Sequence, residues 1–247
     1  MDALALTDIA PLLRSGDELV REEAVKIFGE LGVLQPDEAG PILLPLLSDP
    51  EMLVRNEAVE AFGPLGFPPA VLPLLEILRA DPAWIVRASA AEALGGYSGN
   101  QVTVALEGVV RDIDEETAVR MFAVSSLGRQ SGPDGLAPVE VLIEQSDSEP
   151  LVAVALRAAA YRLGGQRHLA PFLEALSNAE RDDALRLLNE VQDWAGHPAP
   201  PTLSDDLPYI EAELRVIAAR FPIAAIQVQR ILDRLAQPGT GRPRGCC

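Results

Sequence analysis

One phrase returns along this chain at a nearly constant interval, and such an interval restricts the fold more than any other feature of the sequence. It first reads Leu19-Val20-Arg21-Glu22-Glu23-Ala24-Val25-Lys26-Ile27-Phe28-Gly29. It comes back as Leu53-Val54-Arg55-Asn56-Glu57-Ala58-Val59-Glu60-Ala61-Phe62-Gly63. A third copy runs from Ile85-Val86-Arg87 through Ala90-Ala91 to Leu94-Gly95, and a fourth from Ala118-Val119-Arg120 through Ala123-Val124 to Leu127-Gly128. A looser fifth ends at Leu163-Gly164, so the closing glycines are 34, 32, 33 and 36 residues apart. Val20, Ala24 and Phe28 repeat at i, i+4 and i+8, one stripe of a helix. Alanine in mid-stripe admits a close neighbour, and the final glycine is expected to take the left-handed conformation that ends a helix.

A second apolar segment precedes each phrase. Examples are Pro41-Ile42-Leu43-Leu44-Pro45-Leu46-Leu47, residues 71–78, residues 136–142 and Leu169-Ala170-Pro171-Phe172-Leu173. Proline recurs in them, which a first turn tolerates and which bends a helix elsewhere. Ser48-Asp49-Pro50 and Ala80-Asp81-Pro82 mark the turn into the second helix. Each two-helix unit has one apolar face too many to bury alone, so the units must stack.

The Val-Arg-x-x-Ala-x-x-x-Leu-Gly phrase resembles HEAT-like repeats, in particular the short type of phycobilisome-lyase-related proteins, over roughly residues 6–190. Ankyrin and tetratricopeptide repeats share the period, but the Thr-Pro-Leu-His phrase of the former is absent and the Trp and Tyr positions of the latter cannot be placed. The resemblance implies an all-α fold, a right-handed α-solenoid of about five to six two-helix repeats with a C-terminal helical cap. It implies a structural ladder between adjacent units from an Asp and an Arg six residues apart: Asp49 and Arg55, Asp81 and Arg87, Asp114 and Arg120. The first unit has Ser15 at that place with Asp17 nearby, and the fifth lacks the matching Arg. Repeats of this type serve scaffolds, regulators, chaperone-like factors and a few enzymes. The expectation is a non-enzymatic protein-binding scaffold or adaptor; the alternative is a bilin-lyase-like or chaperone-like factor acting on a cofactor-bearing protein.

Charge narrows the partner. The 247 residues carry a net charge of −17, and Lys26 is the sole lysine. Such a surface repels phosphate backbones and favours a protein partner with a basic surface, not nucleic acid. Arg in place of Lys, with abundant Ala, Gly and Pro, reads as the codon bias of a GC-rich bacterial genome. The start of the chain lacks a basic region leading into an apolar run, and no apolar run reaches a membrane span, so a soluble, cytoplasmic protein with no membrane partner is expected.

Catalytic chemistry finds little footing. The sequence has no phosphate-cradling loop, metalloprotease helix or nucleophile elbow. Its two histidines, His168 and His197, have no nucleophile beside them and read as ordinary surface residues. Asp112, Asp114 and Glu116 alternate as at the start of a calcium loop, but the sharp-turn Gly and the distant Glu are missing, and acids suit a helix N-terminus on their own. Cys246 and Cys247 are adjacent at the end, where they cannot build a disulfide framework. A prenylation-like end, a thiol handle and an inert tail all remain open for them. No catalytic residue, metal site or cofactor is expected.

The repeat region is expected over residues 1–196, a Pro-rich linker over 197–206, a helical pair over 207–236 capping the repeats, and a disordered tail over 237–247. Ser204-Asp205-Asp206 is expected to cap the first helix of that pair, and the pair could alternatively dock another protein.

The resemblance also implies that the second helices line a concave binding face. Two residues after each Arg stand Glu23, Glu57, Ser89 and Phe122; five after it stand Lys26, Glu60, Glu92 and Ser125; one after it stand Glu22, Asn56, Ala88 and Met121. The candidate partner-binding residues are therefore Glu23, Glu57, Glu60 and Glu92, an acidic stripe, with Met121 and Phe122 as an apolar break that anchors a partner. A merely solvated face is the competing interpretation.

Overall fold

The computed structural model describes residues 6–130, 135–145, 150–194 and 199–236. These are helical almost throughout: α1 (Leu6–Ile9), α2 (Glu18–Gly32), α3 (Pro36–Leu43), α4 (Met52–Leu65), α5 (Val71–Ala80), α6 (Trp84–Leu94) and α7 (Asn100–Arg111) are followed by α8 (Thr117–Gln130), α9 (Leu136–Gln145), α10 (Pro150–Arg162), α11 (Leu169–Asn178), α12 (Arg181–Asp193), α13 (Leu203–Arg220) and α14 (Ala225–Leu235). No strand occurs among the described residues. The fold class is all-α, of the solenoid type. The contacts divide the chain into two compact units: one takes in the residues up to Val109 and Asp114–Ser126, the other Val110–Ile113 and the residues from Leu127 to the end of α14.

In the first unit the recurring phrase forms α2, α4 and α6, which pack side by side. Val54, Val86 and Val119 are buried, as are Ala24, Ala58, Phe28 and Phe62, whereas Val20 is partly exposed. Burying each Phe contributes roughly 2–3 kcal/mol. Three of the five repeat glycines do something other than end helices. Gly29 and Gly63 lie inside α2 and α4, Gly128 lies inside α8, and Gly95 is right-handed. Of the five, only Gly164 has a positive φ, of 99°. The service of Gly29, Gly63 and Gly128 is closeness. A Cβ added at Gly29 would lie 2.6 Å from Ala61 Cβ, and one at Gly63 would lie 3.3 Å from Ala93 Cα. In the second unit Gly128 faces Ala159 in the same manner, at 3.1 Å. The Gly–Ala pairing lets neighbouring second helices approach backbone to backbone.

The first helices follow their prolines. Pro73, Pro138 and Pro171 each stand at the third residue of α5, α9 and α11, where the missing N–H costs no hydrogen bond. Pro41 falls late in α3, and after Leu43 the chain tightens into a 3₁₀ turn, Leu44–Ser48.

The second unit is organised around Trp194. Its ring meets Tyr161 edge-on at 4.7 Å and Phe172 at 5.3 Å, and its Nε1–H donates to the Ala158 carbonyl at 3.2 Å. The Tyr161 hydroxyl donates to Asp206 at 2.9 Å, and Thr202 donates to the same carboxylate at 2.7 Å. α13 begins at Leu203, so Ser204, Asp205 and Asp206 lie within its first turn rather than before it. α13 packs on α11 and α14 on α12. His197, Cys246, Cys247 and the whole stretch 237–247 lie outside the described residues.

Candidate partner-binding site

The ladder sets the geometry of the first unit. Arg21 of α2 grips Asp49 with Nε and Nη2, both at 3.0 Å, and its Nη1 donates to the Ser15 carbonyl at 2.8 Å. Arg55 of α4 repeats this on Asp81, at 2.8 and 3.1 Å, with Nη1 on the Asp49 carbonyl at 2.9 Å. Arg87 of α6 closes on Glu115, at 2.8 and 2.6 Å, with Nη1 on the Asp81 carbonyl at 2.8 Å. The six-residue spacing therefore reflects an arginine reaching a backbone carbonyl in its own unit. The side chain at that place serves the Arg of the unit before, and also accepts the N–H that opens the next helix: Asp49 from Glu51 and Asp81 from Ala83. A backbone carbonyl is all that Arg21 requires of its own unit, and Ser15 supplies it.

Asp114 requires a correction. The carboxylate that Arg87 holds belongs to Glu115, one residue further on and one methylene longer, while Asp114 is exposed. Arg120 is buried in α8. Burial raises the cost of ionising Asp49, but the Arg21 guanidinium and the Glu51 N–H outweigh it and hold the carboxyl below its usual range. Hydrogen bonds from Arg87 do the same for Glu115.

With the ladder on one side and the core on another, the remaining face of each second helix carries residues at offsets 0, 4 and 7, which stack on one side of a helix. These are Leu19, Glu23 and Lys26 on α2; Leu53, Glu57 and Glu60 on α4; Ile85, Ser89 and Glu92 on α6; Ala118, Phe122 and Ser125 on α8. None of the twelve is buried. Glu23, Glu60 and Glu92 are exposed, and Glu57 is half-buried. Desolvation and then repulsion from Glu60 push the Glu57 carboxyl up, with Lys26 opposing and Glu22 and Glu23 adding to the shift. Glu60 also ties two helices together. It accepts from Asn56 at 2.8 Å and from Ser89 of α6 at 3.2 Å.

Met121 and Phe122 part company. Phe122 is 38% exposed, while Met121 is 8% exposed and belongs to the core. The position one after the arginine is buried in Asn56 and Ala88 as well, so Met121 is no partner anchor.

The largest omission from the sequence reading is an apolar row. Leu19, Leu53 and Ile85 are 65%, 47% and 39% exposed, and Met52 and Trp84 beside them are also exposed. The signal was available: two residues before the arginine lies across the helix from the Val20–Ala24–Phe28 stripe, so an apolar residue there in three copies cannot be core.

The other singled-out residues serve the fold. His168 is mostly covered, with Nε2 3.1 Å from Glu140 Oε1 and Arg167 on the same carboxylate at 2.8 Å, so it is not an ordinary surface residue. That hydrogen bond with His168 leads the causes holding the Glu140 carboxyl low. The loop of Asp112, Asp114 and Glu116 supplies Glu115 to Arg87. Among the described residues no group of three or more acidic, His or Cys side chains could hold a metal ion, and no helix is long and apolar enough to cross a membrane.

A family model described as HEAT repeats matches residues 6–95. No curated protein matches the chain. Among solved structures, the complex of CpcE and CpcF of phycocyanin lyase from Nostoc sp. PCC7120 is similar with a TM-score of 0.58 and 19% identity, over 95% of this chain and 96% of that one. Yeast importin-beta is similar with a TM-score of 0.51 and 14% identity, over 98% of this chain and 38% of that one. At such identities these likenesses concern the fold alone. The repeat phrase, the arginine ladder and the matched segment agree in making residues 6–95 a run of HEAT-like repeats.

Proposed function

We propose that the chain is a non-enzymatic scaffold or adaptor that uses the exposed face of its second helices to bind a protein with a basic surface. The observation that carries this is the arrangement of Glu23, Glu57, Glu60 and Glu92 on three successive packed helices, α2, α4 and α6, with Lys26 the one cation among the twelve positions of that face. Burial and then repulsion from Glu60 disfavour the ionisation of Glu57. A cationic partner relieves the repulsive part of this on binding. A fold built of HEAT repeats supports a protein-interaction role. The test compares the wild-type chain with Glu57→Lys/Glu92→Lys as bait in its source cells. Partners released by moderate salt from the wild type and missing from the variant support the proposal. The same partners on both baits, with the same salt dependence, refute it.

A second function, that of a bilin-lyase-like or chaperone-like factor, is supported by the likeness to the phycocyanin lyase complex over nearly the whole chain. An absorbance shift on incubation with a bilin would favour it, and an unchanged spectrum would count against it.

A further inference from the structure

Building on that acidic-face proposal, we infer that the occupant is an amphipathic helix carrying its basic residues along one flank only, laid across α2, α4 and α6 over the row of Leu19, Leu53 and Ile85. An exposed apolar row is a place where a desolvated partner side chain gains most. The row is regular, one residue per repeat at the same position of the phrase. Its step follows from the packing of the second helices, which approach one another through Gly29 on Ala61 and Gly63 on Ala93. Packed helix axes lie about 8–10 Å apart. A partner helix rises about 1.5 Å per residue, so seven residues advance about 10 Å and return to nearly the same face. Apolar residues at i, i+7 and i+14 of one helix thus meet Leu19, Leu53 and Ile85 in turn.

The two flanks of the row differ. Toward the helix C-termini stand Glu23 and Glu57 one turn on, and Glu60 and Glu92 two turns on. Toward the N-termini stand Met52 and Trp84, both exposed and apolar, with exposed Glu18 at the same place on α2. Over α4 and α6 the complementary helix therefore has Arg or Lys on the flank over the glutamates and apolar side chains on the other. Charge also decides against a second copy of this chain as occupant, because each copy brings the same glutamates and a net charge of −17.

The chain carries its own reporter. Of its two tryptophans, Trp194 is buried and Trp84 is exposed beside the row, so a change in emission reports covering of Trp84. The probe is a synthetic helix of about 21 residues with Leu at three positions seven apart, Arg on one flank and Ala or Gln elsewhere. The control has the same composition with the leucines moved off that face. Both are titrated into the full chain, and into Leu53→Ser/Ile85→Ser and Glu57→Lys/Glu92→Lys variants whose helical circular dichroism matches wild type. The expected result is a blue shift of Trp84 emission and binding about tenfold tighter than the control. The Leu53/Ile85 variant is expected to lose that advantage. Equal binding of both peptides, or equal binding by the Leu53/Ile85 variant, overturns the inference. If both peptides bind equally and both are lost on the Glu57/Glu92 variant, the acidic-face proposal survives and the helix does not. If neither binds, the helix inference falls, and the bait comparison decides the acidic face separately.

Discussion

The guanidinium of Arg55 lies flat against the carboxylate of Asp81, Nε to Oδ2 at 2.8 Å and Nη2 to Oδ1 at 3.1 Å, while its third nitrogen, Nη1, turns back to the carbonyls of Asp49 and Pro50. One side chain thus spans two repeats and satisfies acceptors in both. Asp81 spends its remaining capacity on the Ala83 N–H that opens α6. A compact ammonium has neither the fork nor the reach for this, which accounts for arginine at all three rungs.

Arg55→Ala strands the Asp81 carboxylate, whose side chain is 5% exposed. Breaking a largely buried pair from one side costs about 3 kcal/mol. The expected outcome is a clear fall in the denaturant midpoint, with Arg55→Lys recovering only part of it. Full stability in Arg55→Lys would mean that the fork geometry does not matter.

The ladder also predicts an acid limb. Asp49 and Glu115 have folded-state pKa values held below their ordinary ones, so their stabilisation is fully present above the unfolded carboxylate range, about 4. It is lost as the pH falls through the folded values. Glu57 runs the other way. Its raised value means that its charge opposes folding at neutral pH, and that this opposition fades on acidification. Urea melts from pH 7 down to pH 3 should show Asp49→Asn flattening the acid loss and Glu57→Gln adding stability near neutrality only.

The repeat, the helix faces and the arginine of the ladder were legible in the sequence because a period and a 3.6-residue stripe are local patterns. Glu115 was not, because choosing between adjacent acids depends on how the loop presents each to Arg87. The glycines misled for a related reason. Gly before a turn is a common helix terminator, yet here Ala61 and Ala93, a repeat away, decide what Gly29 and Gly63 do. The sequence suggests a surface anchor at Met121 because equivalent positions bear Glu22 and Asn56, but Asn56 is itself buried, bonded to Glu60 and Ser89. Polarity at that site marks a hydrogen-bonded seam, not solvent.

Two glycine substitutions separate contact from conformation. Gly29→Ala puts a methyl 2.6 Å from the Ala61 methyl, which has no rotamer to move, and overpacking of this kind costs about 1–3 kcal/mol. Gly108, inside α7, has nothing within 4 Å of an added Cβ. Gly108→Ala therefore gains helix propensity and should stabilise by about 0.5–1 kcal/mol. Thermal melts check both signs.

Ala58 is fully buried in α4, and Lys26 is exposed on α2. Ala58→Asp places an unpaired charge in the core and should cost several kcal/mol, about 3 or more. Lys26→Ala should stay within about 0.5 kcal/mol of wild type. Similar melts for the two would mean that the faces are assigned wrongly.

The binding face makes a kinetic prediction. Charge on an exposed stripe acts while the partner is still approaching, so it sets the association rate and weakens with salt. A desolvated aromatic acts only once contact is made, so it sets the dissociation rate. Glu60 is unsuitable for charge reversal because it holds Asn56 and Ser89 together. Glu57→Lys/Glu92→Lys should slow association and flatten its salt dependence. Phe122→Ala should speed dissociation, by an amount on the order of 2 kcal/mol in affinity if Phe122 is a hot spot, and leave the salt slope alone. Phe122 is 38% exposed, so its truncation should leave the melting temperature nearly unchanged. Loss of stability in Phe122→Ala would place the ring in the core's energetics and remove it from the binding face. An unchanged dissociation rate with an intact fold would leave Leu53 and Ile85 as the apolar anchors, and the same kinetic measurement on Leu53→Ser/Ile85→Ser would then carry the dissociation effect.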